Sequence, residues 1–235
     1  MFSISIIAAS GGVLMLLFVT DGPYLVKGTP FSPKALAIIF SARELRAAAL
    51  GYFGHMWELY TFYVLVPFAL TAYAATHVGG ELSISLWSFV IIAAGGIGCV
   101  VGGLISKRIG SVKVAWAQLL GSGLLCLCSP LLFHLSTALF LGLFIVWGIV
   151  VVGDSPQFSA LIARHAPREL VGSALTIGNC IGFAVTIASI HLTSYLSHSV
   201  SPEYIFSVLT IGPALGLAAF MPLVKTKLHI PASPR

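Results

Sequence analysis

The sequence predicts an all-α polytopic membrane protein that crosses the lipid bilayer about seven times. Of its 235 residues, 58% are hydrophobic and only 8% are charged, whereas soluble domains carry about 25% charged residues. Seven apolar stretches are each long enough to cross a bilayer as a helix. Most of the charged residues lie in or beside the polar connections between these stretches. Together these observations exclude a soluble globular fold.

The predicted spans follow one another closely, apart from one longer linker. The first span starts beside Met1 without a basic segment or a small-residue cleavage site, so we interpret it as a membrane helix rather than a signal peptide. The second follows a connection rich in Pro and Gly, which we expect to be a linker with a short interfacial helix. In chain order the spans cover residues 3–20, 46–75, 84–106, 112–133, 137–162, 170–196 and 203–224.

This pattern divides the chain into four segments. They are a leading helix (1–20), a cytoplasmic linker (21–45), a six-helix bundle (46–224) and a cytoplasmic tail (225–235). The assignment of sides rests on the basic residues. All 12 Lys and Arg residues fall on one side of the predicted map, and the connections 76–83, 134–136 and 197–202 contain none. The positive-inside rule then puts the N-terminus outside and the C-terminus in the cytoplasm.

Composition also excludes several classes of function. The net charge of +5 comes from short connections rather than from a basic patch with interleaved aromatic residues, so nucleic acid is not an expected partner. The four cysteines lie inside apolar runs without a CxxC spacing or paired histidines, and we interpret them as small core residues. The sequence therefore predicts no metal site and no cofactor.

The second span carries the main candidate site. On a helical projection Gly51, Gly54, His55, Glu58 and Thr61 share one face, and aromatic and aliphatic residues occupy the other. Glu58 lies about 18 Å along the helix from the charged end, which is close to the middle of the membrane. A carboxylate at that depth is a candidate for binding a proton or a substrate. A structural hydrogen bond to a neighbouring helix, or to His55, is the alternative.

Polar residues also interrupt the fifth and sixth spans. Asp154 and Gln157 lie in the fifth span, where Asp154 precedes Pro156 and could instead satisfy backbone groups at a helix break. Asn179 and Thr186 lie in the sixth span, where bonding between helices is the alternative to substrate contact. Asp154 and Asn179 join Glu58, His55 and Thr61 as candidates for substrate or proton contact.

The connection after the third span contains a recognisable motif. It reads GGLISKRIGSVK, which resembles the cytoplasmic loop motif of the major facilitator superfamily, Gly-x-x-x-Asp-Arg-x-Gly. Gly103, Arg108 and Gly110 are in register, and Lys107 replaces the acidic residue. The runs LGYFGHMWELYTFY and DSPQFSALIARHAPRELVGSALTIGNCIGFAVT resemble one bacterial branch of this superfamily, and residues 43–222 resemble its second six-helix half.

The resemblance implies a fold and a mechanism. The first span would be helix 6 of a twelve-helix transporter and the remaining spans helices 7 to 12, with helices 1 to 5 absent. Two bundles would rock around a central cavity that the second, third, fifth and sixth spans line. Gly103, Arg108 and Gly110 would form a gate at the cytoplasmic side, without the acid that Lys107 replaces. The membrane would be the bacterial inner membrane.

Three classes of function follow. The first is a secondary transporter, a symporter or antiporter, or its C-terminal half, which moves a small solute by alternating access with proton coupling left open. The second is a non-transporting truncated protein or a half-transporter that needs a separate N-terminal half or a second copy. The third, an intramembrane enzyme, is disfavoured because HMWE is not a zinc-binding HExxH and no nucleophile is suitably spaced from a histidine.

The sequence also predicts how the isolated chain behaves. If the polar face of the second span lines a cavity between two bundles, that face would meet lipid in an isolated monomer. A carboxylate facing lipid at mid-depth costs at least ~2.5 kcal/mol. We therefore expect the isolated chain to dimerise, to bind a separate N-terminal half or to be degraded, and not to transport by itself.

Overall fold

The computed structural model describes residues 2–19, 31–77 and 82–228, and in these ranges the protein is all-α. The chain falls into two compact units, Met1–Pro30 and Phe31–Arg235. The first unit contains one apolar helix, α1 (Phe2–Phe18), which occupies most of the predicted leading span. Part of the predicted linker, residues 20–30, lies outside the described residues, as do 78–81 and the end of the tail.

The second unit is a bundle of helices. Its first helix, α2 (Lys34–Ser41), is short and packs on α3 (Arg43–His77) and α9 (Val171–Leu196). Just before it, the backbone N–H of Ser32 donates to Ser173 Oγ at 3.0 Å. A 3₁₀ turn, Arg168–Leu170, leads into α9. The helices are α2 (Lys34–Ser41), α3 (Arg43–His77), α4 (Ile84–Ile109), α5 (Ser111–Leu127), α6 (Ser129–Leu132), α7 (Thr137–Gly153), α8 (Ser155–His165), α9 (Val171–Leu196), α10 (Pro202–Leu209) and α11 (Ile211–Leu228).

Five stretches of the described chain are long and apolar enough to cross a membrane. They correspond to five of the predicted spans and are Arg43–His77, Ile84–Ile109, Thr137–His165, Arg168–Leu196 and Pro202–Lys225. The predicted spans 3–20 and 112–133 correspond to shorter apolar helices, Ser5–Phe18 and Ser111–Leu127. The protein is therefore an all-α polytopic membrane protein. After a break at residue 128, α6 continues the path of α5 to residue 132.

Proline residues interrupt three of the bundle's spans. Pro130 lies in the first turn of α6, Pro156 in that of α8, and Pro213 near the start of α11, and each follows a break from the preceding helix. Proline has no N–H to continue the helical bonding. Pro67, in contrast, lies inside the unbroken α3, where its carbonyl oxygen accepts a hydrogen bond from Thr71 Oγ1 at 2.8 Å.

The interior of the bundle consists of two apolar clusters, and α3 passes through both. The first cluster packs the beginning of α3 against the side chains of Phe158, Leu161 and Phe220. The second packs the remainder of α3 against large aromatic side chains from α7 and α10, among them Trp147 and Phe206. The clusters meet on α3 between residues 56 and 59, near the depth at which Glu58 lies.

Glycine residues bring two pairs of helices into direct backbone contact. A Cβ atom at Gly98 of α4 would overlap the carbonyl oxygen of Ile149 in α7, and one at Gly54 of α3 would meet Gly216 Cα of α11 at 2.7 Å. Small residues let membrane helices approach closely and gain van der Waals contact. In the third predicted span, Gly98 makes such a close contact, whereas Gly103 faces open space.

Candidate functional site

Polar side chains lie inside the bundle where the two apolar clusters meet. We call this set the buried polar layer. It combines two carboxyl groups, a histidine and several hydroxyl groups, and each member is at most 1% exposed. The members are His55, Glu58, Thr61, Ser122, Asp154 and Ser189.

Glu58 is held by three hydrogen bonds from two other helices. Ser122 Oγ donates to Oε2 at 2.9 Å, and Cys126 Sγ donates to Oε1 at 3.2 Å, both from α5. Trp147 Nε1 of α7 donates to Oε1 at 3.0 Å. Neither of the two ion pairs in the described part of the chain involves Glu58. Hydrogen bonds thus compensate for burying the carboxyl group and join α3 to α5 and α7.

His55 is paired with Asp154 rather than with Glu58. The distance from His55 Nδ1 to Asp154 Oδ1 is 2.8 Å, and the two side chains are 1% and 0% exposed. Asp154 lies at the break between α7 and α8, where it makes no side-chain capping hydrogen bond. His55 Nε2 is buried and has no hydrogen-bond partner among the described residues. The structure thus places an imidazole ring against a carboxyl group at the point where a membrane helix is interrupted.

The prediction that the polar face of the second span would meet lipid in a monomer is wrong. His55, Glu58 and Thr61 are at most 1% exposed within this chain alone. Gly51 and Gly54 are buried too, because α3 is the central helix of the bundle. Helices α7, α8, α9 and α11 pack directly on α3, and α5 packs on α7, α8 and α11. The expected cost of a carboxylate in lipid does not arise for Glu58.

The other candidates connect α3 to α9. Thr61 Oγ1 and Ser189 Oγ share a hydrogen bond inside the bundle. Tyr52 Oη donates to Asn179 Oδ1 at 2.9 Å, and Asn179 is exposed on the outer face of α9. Thr186 Oγ1 also donates to the backbone oxygen of Met56 at 2.8 Å. These bonds hold α9 at a defined height along α3.

The loop motif forms the tight turn between α4 and α5. Gly110 has a φ angle of +90°, which side-chain-bearing residues rarely adopt, so glycine is required there for a conformational reason. Lys107 and Arg108 are exposed at the end of α4, and neither takes part in the ion pairs found among the described residues. The structure shows no charge partner for Arg108 within the ranges it describes.

Sequence reasoning did not identify the partners of Glu58. Ser122 and Cys126 are small residues in an apolar span, and their spacing of one helical turn carries no signal by itself. Trp147 stands out only as the one tryptophan in a run of aliphatic and phenylalanine residues. Gln118 was also missed, although its side-chain amide fills the space between Gly102 and Gly153 beside the α7–α8 break. No group of three or more His, Cys, Asp or Glu side chains in the described ranges could hold a metal ion.

Comparison with known proteins gives one finding on the family. The family model described as Major Facilitator Superfamily matches residues 1–190, which is more than half of the chain. A search of curated proteins gave no match.

Proposed function

Since the chain belongs to the major facilitator superfamily, we propose that it forms one bundle of a proton-coupled secondary transporter. Family membership and the apolar helices make it a multi-pass membrane protein of transporter type. The proposal concerns what the buried polar layer does. In it, the His55–Asp154 pair and Glu58 together form the proton site of a symporter or antiporter of a small solute in the bacterial inner membrane.

The observation that supports this proposal is the presence of two buried carboxyl groups close to one histidine. Each is completely enclosed by the bundle, and because ionisable groups at membrane depth are costly to bury, they are rare and mark functional sites. His55 lies one helical turn before Glu58 on α3 and contacts Asp154 at 2.8 Å, so the three side chains share one region of the bundle. A proton that binds to the His55–Asp154 pair therefore changes the electrostatic field at Glu58, which joins three helices.

The position of Asp154 suggests how proton binding is passed to the helices. Asp154 lies between α7 and α8, and Pro156 prevents a continuous helix through this point. At a helix break the backbone makes fewer of its own hydrogen bonds, so a change of charge there can shift the preferred angle between the two helices. We propose that loading and release of the proton bias the angle between α7 and α8, and with it the orientation of the bundle.

The experiment measures solute-dependent proton movement in membrane vesicles from the source organism, so that a separate N-terminal half is present if one exists. A trapped pH-sensitive dye reports proton flux while nitrate, small organic acids and cationic dyes are added in turn. The variants Glu58→Gln and Asp154→Asn remove a titratable proton but keep side-chain size and hydrogen-bonding capacity. Glu44→Gln is the matched control, because Glu44 is 57% exposed at the end of the same helix.

With the wild type, we expect one solute class to drive proton flux. Asp154→Asn and Glu58→Gln should abolish uphill accumulation of that solute while exchange down its own gradient survives, and Glu44→Gln should behave like the wild type. Uphill accumulation at the wild-type rate in both buried-site variants would contradict the proposal. It would leave Glu58 and Asp154 with a structural role.

We also propose that a second bundle completes the transporter. Alternating access needs two bundles around a central site. Helices α4 and α9, which both pack on α3, leave most of their surface uncovered within the described bundle. The partner is a separate N-terminal half or a second copy of this chain. The purified chain in proteoliposomes should then bind protons but give no net uptake, and uptake by a monodisperse monomer would contradict this part of the proposal.

A further inference from the structure

A groove on the outer surface of α4 combines apolar and basic side chains. It has a volume of about 500 Å³ and is lined by Val101, Leu104, Ile105, Lys107 and Arg108. Its three apolar side chains are between 44% and 58% exposed. The apolar residues occupy the last two turns inside the span, and the basic residues follow at the end of the helix. The groove thus changes from apolar to cationic along the helix axis.

The charges of this groove are not neutralised by the protein. No acidic side chain lines it, and neither ion pair in the described part of the bundle includes Lys107 or Arg108. Beyond the turn at Gly110, a smaller cavity of about 130 Å³ is lined by two more basic residues, Lys113 and Arg164. Four cationic side chains therefore gather at this end of the bundle around α4, α5 and α8.

We propose that this groove binds one anionic phospholipid of the bilayer. Lys107 and Arg108 contact the phosphate, and an acyl chain lies along Val101, Leu104 and Ile105. An inorganic anion would use only the basic half of the groove, whereas an amphiphile uses both halves. The cytoplasmic leaflet carries the anionic lipids, and basic residues close to a membrane helix attract them. This site is separate from the buried polar layer and does not depend on proton coupling.

The sequence supplies a second reason for this proposal. Position 107 carries Lys where the loop motif it resembles has an acidic residue. With an acid there, Arg108 would have a counter-charge one residue away and the groove would be neutral overall. With Lys107 the local charge is +2, and no acidic side chain in the described part of the chain forms an ion pair with it.

The test is a titration of the purified full chain, followed by native mass spectrometry. The probes are phosphatidylglycerol, phosphatidylcholine with the same acyl chains, and inorganic phosphate. The double variant Lys107→Gln/Arg108→Gln removes the charges of the groove. Lys34→Gln/Arg43→Gln is the matched control, because both of its residues are exposed and lie outside the groove. All four positions are on the surface, so the variants should fold.

We expect tighter binding of phosphatidylglycerol than of phosphatidylcholine. The groove variant should lose about 30-fold in affinity for phosphatidylglycerol, since each basic residue near the membrane surface contributes about fivefold, and the control variant should lose much less. Leu104→Ser should weaken phosphatidylglycerol but leave inorganic phosphate unchanged. Equal affinity for the two lipids, equal losses in the two double variants, or full competition by inorganic phosphate would each overturn the proposal. The proposal would also be overturned if Leu104→Cys formed a cross-link to a second copy of the chain, because the groove would then be covered by protein rather than by lipid.

Discussion

Replacing Trp147 by Phe should show how much the hydrogen bonds to Glu58 stabilise the bundle. Trp147 is fully buried, and its Nε1 donates to Glu58 Oε1 at 3.0 Å. A phenyl ring keeps the contacts with Phe62 and Phe206, whose ring centroids lie 4.9 and 5.1 Å away. The substitution therefore removes one donor and part of the indole volume while most of the packing stays.

The expected loss can be estimated from these two changes. A hydrogen bond to a charged group contributes about 1.5–3 kcal/mol, and the smaller ring leaves a void worth about 1 kcal/mol. The free energy of unfolding should fall by about 2.5–4 kcal/mol. Trp57→Phe is the matched control on α3, because Trp57 Nε1 is buried without a hydrogen-bond partner among the described residues. That change should cost about 1 kcal/mol or less, since it breaks no hydrogen bond.

Equilibrium unfolding in mixed micelles, followed by circular dichroism, measures both variants. A double-mutant cycle with Glu58→Met, which keeps a side chain of similar length but removes the carboxylate acceptor, isolates the contact between Trp147 and Glu58, and we expect a coupling energy of about 1–3 kcal/mol. If Trp147→Phe and Trp57→Phe destabilise the protein equally, or if the cycle gives no coupling, the hydrogen bond from Trp147 to Glu58 does not stabilise the bundle.

Two further predictions concern helix packing and orientation. Gly98→Ala places a Cβ on the Ile149 carbonyl and should destabilise the bundle by about 1–3 kcal/mol. Gly96→Ala is the control, because its Cβ meets open space and the change should be neutral or slightly stabilising. A lower melting temperature for both variants would contradict this prediction. In a cysteine-free background, an impermeant thiol reagent added outside intact cells should label Ser199→Cys but not Lys107→Cys. The reverse labelling pattern would invert the predicted topology.

The class of protein and the course of the chain follow from the sequence alone. Long apolar stretches can be stable only in a bilayer, and a bilayer admits helices because their backbone groups bond within the segment. For this reason five of the predicted spans coincide with long helices, and helix breaks precede Pro130, Pro156 and Pro213. The position of Glu58 within α3 was also predictable, since it depends only on the rise of a helix.

What covers each helix was decided by the tertiary structure. The partners of Glu58 are 64, 68 and 89 residues away in the chain, and no local pattern specifies such contacts. A bond between His55 and Glu58 was one of the alternatives, yet Asp154 contacts His55 because the α7–α8 break brings that carboxyl group against α3.

The physical reason lies in the solvent. In water, an apolar face identifies the inside of a protein, whereas in a bilayer the lipid tails are as apolar as the protein core, so hydrophobicity does not separate the two. Met56 and Val64 both lie on the aromatic and aliphatic face of the second predicted span, yet Met56 is 2% exposed and Val64 is 53% exposed. The sequence alone could therefore determine which segments enter the membrane and how deep each residue lies. Only the packing of complementary shapes and hydrogen bonds determined which face of each helix is inside.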